Sequence, residues 1–372
     1  MASHDPTRPL HVALISRDRA FSGGTSMRDG FVAAGARCTI VPYEDWFPDL
    51  HSQRLRGSGV VSRLAGDVVR PLAEARLVAT VARLRPDVVF FLKCDDLHAA
   101  VYGVLRRLLR GVPLVAYHPD DPFNVGRGPL RPGPAHRRAR AQLLAADLVV
   151  SWSPEVVRRA EALGARRARY LPFAADPAVH PRVPVTDADR AALGADVTFV
   201  GNWDQERERW LTGIAAALEA EGVGLAVWGT EYWETRCKDA RVRAAWRGRP
   251  LFGEEMSKAA LASAINLNVL RLQNRGATNM RTFEIPCAGG FMLHERSPAL
   301  SEWLPPGVAC DDFADVPELV EKAKRWLADP EGRARVAEEG HRRALAWTYR
   351  EWCERILGWI ADLDPTTRQE TP

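Results

Sequence analysis

Short, continuous apolar runs alternate with longer stretches of helical periodicity, and this alternation constrains the fold of the chain most. In the first half the apolar runs cover residues 11–16, 38–43, 87–92, 112–117 and 147–152, and the helical stretches between them cover 26–35, 67–84, 96–110 and 136–146. The runs lack the polar alternation of a strand with one wet face, so both faces should be covered by helices. The pattern predicts an α/β fold with a doubly wound parallel sheet.

The same alternation starts again at residue 197, after a segment rich in proline and aspartate that has no periodicity. Apolar runs follow at 197–202, 224–229, 265–270 and 291–294, with helical stretches at 206–221, 254–264, 279–288 and from 315 to 362. We therefore predict two Rossmann-like domains, at 1–172 and 197–345, joined by a surface linker at 173–196. Residues 346–372 should form a helix that crosses back to the first domain and then a disordered tail. Sheets of this kind bind ligands at the carboxyl ends of their strands, so both domains should face a central cleft.

Composition excludes several classes of protein. No window approaches 18 uncharged apolar residues, and the first residues lack the pattern of a signal peptide, so we expect a soluble, cytoplasmic protein without a transmembrane segment. The six cysteines lie far apart and form no Cys-x-x-Cys pair, which argues against a zinc site or a disulfide framework. The net charge is only +4, and the arginine runs are interpreted as solvated helix faces, so no nucleic-acid partner is expected.

The segment from Ala277 to Gly290 is the strongest candidate for a binding site. Thr278 or Asn279 can cap a helix that starts just after the apolar run at 265–270. The amino end of such a helix offers unpaired N–H groups and a positive dipole to a diphosphate. Arg281 would oppose that dipole unless an anion lies there, and Glu284, one turn later, could accept hydrogen bonds from two ribose hydroxyls. The alternative is an ordinary capped helix with surface charges.

These residues also carry a resemblance to a known family. The stretch NMRTFEIPCAGGFMLHE is preceded, in order, by YLPFAADPAVHP, VGNWDQERERWL, VWG and GEEMSKAALASAINLNVLR, and is followed by LSEWLPPGVACDDFADVPELVEKAKRWLADPEGRARVAEEGHRRALAWTYR. Together they resemble CgeB-like glycosyltransferases of the spore-maturation type, which are related to the group 1 retaining glycosyltransferases. The resemblance covers about 170–350, and the first half matches in fold pattern only. It implies the GT-B architecture, a nucleoside-diphosphate sugar as donor, a hydroxyl or amine acceptor, and no metal or other cofactor.

The resemblance also assigns roles to single residues of the second half. Glu284 matches the second glutamate of the family's Glu-x7-Glu motif, which binds the donor ribose. Gly276 stands where the first glutamate is expected. The chain therefore lacks the residue that usually contacts the donor sugar, and retention of configuration does not follow from the motif. Asn202 and Arg207 occupy the positions of the arginine and lysine that grip the diphosphate. Arg271 or Arg275 could supply the missing charge, whereas Arg207 could also be a plain surface charge.

In the first half, two places after strands are candidates. Gly23-Gly24 would let the backbone approach the donor phosphates and the acceptor, or would form a flexible turn. No Gly-x-Gly-x-x-Gly fingerprint is present, which disfavours a nicotinamide dehydrogenase. After the runs at 87–92 and 112–117 come Lys93-Cys94-Asp95-Asp96 and Tyr117-His118-Pro119-Asp120-Asp121-Pro122.

His118, Asp120 or Asp121 could serve as the acceptor-side base, and the alternative is that the aspartates only form a turn before Pro122. The two adjacent carboxylates differ from the spaced Asp-x-Asp that binds metal in the other glycosyltransferase fold. Because the first half matches the family only in fold pattern, we expect it to select the acceptor and to close over the donor.

Three tryptophans, Trp203, Trp228 and Trp233, fall outside the predicted cores; Trp203 is placed to stack on a sugar or base, and the other two are expected to pack. The leading hypothesis is a metal-independent glycosyltransferase that uses a small-molecule nucleotide-sugar donor. Two alternatives stay open. One is an inactive nucleotide- or sugar-binding protein of the same fold, which the residues at 202 and 276 favour, and the other is a nucleotide-sugar epimerase.

Overall fold

A computed structural model describes residues 8–46, 59–94, 97–123 and 134–363 of the chain. The chain divides into two compact units, one formed by Met1–Leu171 with Tyr349–Pro372 and the other by Pro172–Thr348. Asp95, Asp96 and the tail from residue 364 onward lie outside the described residues. Among the helices that are described, none is both long enough and apolar enough to span a bilayer.

The first unit contains a six-stranded parallel sheet. Its strands are β1 (His11–Ile15), β2 (Arg37–Val41), β3 (Val88–Leu92), β4 (Leu114–Tyr117), β5 (Leu148–Ser151) and β6 (Ala168–Tyr170), in the order β2-β1-β3-β4-β5-β6. Its helices are α1 (Gly23–Ala33), α2 (Gly59–Leu84), α3 (Ala100–Leu108), α4 (Pro134–Ala145) and α5 (Pro154–Ala162). The strand order reverses at β1, so right-handed crossovers place α1 on one face of the sheet and α2–α5 on the other.

The second unit contains a five-stranded parallel sheet in the order β11-β10-β9-β7-β8. The strands are β7 (Val197–Val200), β8 (Leu225–Trp228), β9 (Ile265–Asn268), β10 (Met292–Glu295) and β11 (Asp311–Phe313). The helices are α6 (Asp187–Leu193), α7 (Gln205–Glu219), α8 (Tyr232–Thr235), α9 (Ala240–Ala245), α10 (Gly253–Ala262), α11 (Arg281–Ala288), α12 (Leu300–Trp303), α13 (Val316–Ala328) and α14 (Pro330–Leu345). The strand order reverses between β7 and β9, and ligands of open α/β sheets bind at such a point.

The last helix, α15 (Tyr349–Ala361), packs on α1 and completes the core of the first unit. Trp352 is fully buried, with its ring centroid 6.1 Å from that of Phe90 and 5.3 Å from that of Tyr117. A Cβ on Gly30 would lie 2.4 Å from the carbonyl oxygen of Tyr349, so only glycine permits this close approach of the two helices. Truncating a buried tryptophan of this kind costs about 3–5 kcal/mol.

The prediction of two parallel α/β sheets is confirmed, but several elements were missed. The segment expected to be an aperiodic linker holds α6, which Thr186 and Asp189 start with reciprocal capping hydrogen bonds. The helix α5 and the three-residue strands β6 and β11 were not predicted. Trp228 and Trp233 are buried, as expected of packing residues, although they lie outside the cores that the apolar runs predict.

Candidate functional site

The loop after β7 turns tightly before α7 begins. The carboxylate of Asp204 caps α7 by accepting hydrogen bonds from the backbone N–H groups of Glu206 and Arg207, each at 3.0 Å. A Cβ on Gly201 would lie 2.9 Å from the Phe199 ring and 3.3 Å from Nη1 of Arg207. The absence of a side chain at residue 201 therefore lets the Arg207 guanidinium lie directly against the turn.

A second turn, which contains Gly229 and follows β8, packs directly against the turn at Gly201. Trp233 donates from Nε1 to the carbonyl oxygen of Gly201 at 2.8 Å, and Trp246 donates to that of Gly229 at 3.0 Å. A Cβ on Gly229 would lie 2.3 Å from the Gly201 carbonyl oxygen. These contacts explain why Trp233 is buried, since its ring nitrogen satisfies a backbone carbonyl at the end of β7.

The amino end of α11 is tied to the carboxyl end of β9. Asn279 caps the helix, with its side-chain oxygen accepting from the N–H of Thr282 at 3.1 Å. Asn268, the last residue of β9, exchanges two hydrogen bonds with the Asn279 amide, at 2.8 and 3.0 Å. The hydroxyl of Thr282 lies 2.9 Å from Nε2 of His294 in β10. This buried polar network holds the helix end in one position.

Arg281 reaches from α11 to the end of β7. Its Nε donates to the carbonyl oxygen of Val200 at 3.1 Å, and its Nη1 forms an ion pair with the carboxylate of Glu284. Glu284 is only 6% exposed. A cation in the first turn of a helix is repelled by the helix dipole, and the Glu284 carboxylate offsets this repulsion. The ion pair therefore explains in part why Arg281 is tolerated here without a bound anion.

Arg207 lies in the same neighbourhood, with 12% of its side chain exposed. Its Nη1 donates to the carbonyl oxygen of Asn202 at 2.9 Å, its Nε lies 3.6 Å from the Asp204 carboxylate, and this Nε has no hydrogen-bond partner. The pKa of Arg207 is lowered to about 10, mainly by burial and also by the charge of Arg271, while the charge of Asp204 opposes the change. Burial, with the charge of Arg207, also lowers the pKa of Arg281 to about 10.

Two more arginines lie on the loop after β9 and are held by carboxylates. Arg271 donates from Nε to Asp204 at 3.2 Å, and Arg275 donates to Glu206 at 2.7 Å. The buried Glu295 accepts from the N–H of Leu270 at 2.9 Å, and burial raises the pKa of this carboxyl group. These pairs fix the loop from 270 to 275 over the start of α7.

The backbone conformation at Gly276 explains why this residue is a glycine. Its φ is +84°, and a Cβ built there would meet nothing within 4 Å. The left-handed backbone, rather than lack of space, therefore disfavours a glutamate at this position. Gly276, which replaces the first glutamate of the Glu-x7-Glu motif, thus lies in a loop whose conformation favours glycine.

The predicted site residues fall into two groups. The second unit brings together the ends of β7 and β9 with Asn202, Arg207, Arg271, Asn279, Arg281 and Glu284. Gly23, Gly24, His118, Asp120 and Asp121 belong to the first unit.

In the first unit, Gly23-Gly24 form the start of α1 rather than a free loop. A Cβ on Gly24 would lie 2.2 Å from Oγ of Ser16, so packing alone explains this glycine. His118 is buried directly after β4. Asp120 pairs with Lys93 at 2.5 Å, and Asp121 accepts from the N–H of Phe123 at 2.8 Å, which is a turn-forming contact.

Several residues of the second unit were not predicted for the site. Asp204 could have been found by the same signal as Asn279, because an aspartate that follows a strand and directly precedes a helix indicates a helix cap. His180 had no such signal; it is buried, its Nδ1 lacks a hydrogen-bond partner, and burial together with Arg281 lowers its pKa to about 3. Trp203 donates from Nε1 to Glu208 at 2.8 Å. Within the described residues, no group of three or more His, Cys, Asp or Glu side chains is arranged to hold a metal ion.

Residues 193–358 match a family model described as glycosyl transferase-like. That range contains all five strands of the second sheet and the arginine cluster between β7 and β9. The match covers most of the second unit, which is called the glycosyltransferase domain below. No curated protein matches the chain at a significant level.

Solved structures resemble nearly the whole chain. Sucrose-phosphate synthase from Thermosynechococcus elongatus has a TM-score of 0.66 at 14% identity, over 95% of this chain and 98% of that one. HepE of Anabaena, in complex with UDP and glucose, has a TM-score of 0.62 at 12% identity, over 95% and 99%. A structure described as trehalose-6-phosphate from E. coli bound with UDP-2-fluoro glucose has a TM-score of 0.64 at 13% identity, over 97% and 99%. Together with the glycosyltransferase domain, these matches confirm the predicted GT-B fold and the prediction of a glycosyltransferase.

Proposed function

We propose that the protein transfers a glycosyl unit from a nucleoside-diphosphate sugar, bound in the glycosyltransferase domain, to a hydroxyl or amine acceptor, and that it is of the CgeB-like type. The observation that carries the proposal is the pair of arginines, Arg207 and Arg281, at the point where the strand order reverses, with only 12% and 26% of their side chains exposed. Desolvation lowers the pKa of both guanidinium groups, the charge of Arg207 lowers that of Arg281 further, and an anion there would relieve these costs.

The departing diphosphate gains negative charge as the glycosyl bond breaks, and preorganised cations stabilise that charge. Arg207 has an unused donor, Nε, and a planar guanidinium that suits bidentate contact with phosphate oxygens. The capped amino end of α11 adds a positive dipole. In this proposal the arginines do the work that a divalent cation does elsewhere, and transfer needs no metal.

Glu284 would exchange partners when the donor binds. Without a ligand its carboxylate pairs with Arg281. A diphosphate would draw the Arg281 guanidinium toward its own oxygens, and the carboxylate would then accept hydrogen bonds from the ribose hydroxyls. HepE in complex with UDP and glucose makes a UDP-sugar the first donor to test.

The acceptor is assigned to the first unit. His118, Asp120 and Asp121 remain the candidates for the base that takes the acceptor proton, with Asp120 paired to Lys93 and Asp121 accepting a hydrogen bond in a turn. Gly23-Gly24 remain candidates for a backbone contact to a substrate, although packing against Ser16 already explains Gly24.

A second candidate function is nucleotide or sugar binding without transfer. It is favoured by Gly276, whose φ of +84° suits glycine better than the expected glutamate. A thermal-shift screen with nucleoside diphosphates, followed by assays of donor consumption, separates the two. A nucleoside diphosphate at 100 times its Kd should stabilise the protein by about 2.7 kcal/mol.

Donor turnover with formation of a glycosylated product supports transfer. Stabilisation without turnover across acceptor classes supports the binding protein, and release of an isomerised nucleotide sugar supports an epimerase. If no nucleoside diphosphate stabilises the protein, the proposal fails.

A further inference from the structure

The helices α2–α5 of the first unit form one layer, and its outer side carries several exposed aliphatic side chains. We call this outer side the helical face. It exposes five large aliphatic side chains, each 41–63% exposed, and every one of the four helices or its carboxyl end contributes at least one: Leu72, Val104, Leu108, Leu144 and Leu163. Single exposed aliphatics are normal on a protein surface, whereas a set shared by four adjacent helices calls for an explanation.

The helical face is also strongly basic. The helices α3 and α4 carry five arginines and no acidic residue. Residues 100–170 contain 13 arginines and five acidic residues, a net charge of +8, although the whole chain has a net charge of +4. The positive charge of the protein is therefore concentrated in the segment that builds this face.

Two of these arginines make contacts within the first unit. Arg106 donates to Asp147 at 2.6 Å, and Arg140 lies over the ring of Phe123 at 5.5 Å. Arg107 and Arg110 are exposed. Arg107 shares the outward side of α3 with Val104 and Leu108, because residues three and four apart lie on the same side of a helix. Charge and apolar surface are thus interleaved along one helix.

We propose that the helical face docks on an anionic lipid surface. Helices that lie in a membrane interface combine aliphatic tips, which enter the acyl boundary, with flanking arginines that meet lipid headgroups. Anionic leaflets attract such cations over about one Debye length. The five exposed hydrophobic side chains described on this face are all aliphatic, whereas surfaces that bind single-stranded nucleic acid present aromatic rings for stacking. A protein partner would favour aromatic anchors in a central pocket.

The test is co-sedimentation of the full chain with vesicles. We expect binding to vesicles that contain phosphatidylglycerol, weak binding to vesicles of phosphatidylcholine alone, and loss of binding as salt rises. The double variant Arg107→Gln/Arg110→Gln should bind the anionic vesicles roughly 30-fold more weakly, at about fivefold for each arginine. The double variant Val104→Ser/Leu108→Ser should also bind more weakly but keep the salt dependence.

A matched control removes the same charge elsewhere. Lys324→Gln/Arg335→Gln changes two cations of the second unit and should leave vesicle binding within about twofold. The circular dichroism spectrum and the Tm of all three variants should match those of the wild-type protein, which shows that each is folded. Equal binding to both kinds of vesicle, no binding to either, or equal weakening by the control would overturn the proposal. So would a self-association, seen by sedimentation velocity, that the Arg107 and Arg110 changes abolish while vesicle binding persists.

Discussion

Replacing Glu284 by glutamine isolates the charge of one buried carboxylate while keeping its shape. In the protein without ligand, the change turns the ion pair with Arg281 into a neutral hydrogen bond. Hydrogen bonds to charged groups contribute about 1.5–3 kcal/mol and neutral ones about 0.5–1.5 kcal/mol, so the free energy of unfolding should fall by about 1–2 kcal/mol. At roughly 2–4 °C per kcal/mol for a unit of this size, Tm should fall by about 2–8 °C.

The same change should separate two ligands. A nucleoside diphosphate loses the charged acceptor of its ribose hydroxyls, which costs about 1.5–3 kcal/mol and weakens binding roughly 10- to 150-fold. Inorganic pyrophosphate has no ribose, and Arg281 is released from its partner, so pyrophosphate should bind at least as tightly as before. The opposite responses distinguish a ribose contact from a general loss of structure.

Isothermal titration calorimetry of both ligands, on the wild-type and variant proteins, measures this difference. Glu338→Gln is the control, because Glu338 forms an exposed ion pair with Arg182 in the same unit. If nucleoside diphosphate affinity is unchanged in the folded Glu284 variant, the carboxylate serves only Arg281. If both ligands weaken equally, the effect is structural and the ribose assignment is refuted.

Four further outcomes are expected. Arg207→Gln should weaken nucleoside diphosphate and pyrophosphate alike, by roughly 10- to 150-fold in calorimetry, and unchanged affinities would make Arg207 a structural residue. His118→Ala and Asp120→Ala should keep nucleotide affinity within about twofold. Turnover should fall by roughly 10²-fold in the variant whose residue acts as the acid–base group. Loss of nucleotide binding with normal turnover would reverse the assignment of the two units. Turnover should survive EDTA, and its abolition with recovery on adding Mg²⁺ would contradict the arginine-based mechanism. Gly276→Ala should lower the free energy of unfolding by about 1–2 kcal/mol in denaturant titration because of its φ of +84°, and an unchanged value would remove the backbone explanation.

Much of the fold could be predicted because most strands are continuous apolar runs that need cover on both faces. β1 and β3 are buried at every position, and so is β9. The three-residue strands β6 and β11 were missed because such short runs carry no periodicity. The seven-residue α6 was missed because proline and aspartate dominate its segment, although Thr186 and Asp189 form a recognisable capping pair.

The sequence predicts which segments come together at the candidate site but not the contacts between them. A capping residue after a strand indicates where Asn279 lies, since a parallel strand and the next helix meet at one edge of the sheet. The contact between Arg281 and Val200 joins residues 81 positions apart, and the bond from Trp233 to Gly201 spans 32. Such pairings follow from tertiary packing, so the sequence alone does not predict them.

Hydrogen–deuterium exchange of the full chain, with and without a saturating nucleoside diphosphate, tests the central claim most directly. The account predicts new protection in peptides that cover 201–207 and 277–284, where the Arg207 turn and the amino end of α11 would contact the diphosphate. Arg207→Gln, at the same nucleotide concentration, should reduce that protection. Protection confined to 8–171, with none in the glycosyltransferase domain, would contradict the account.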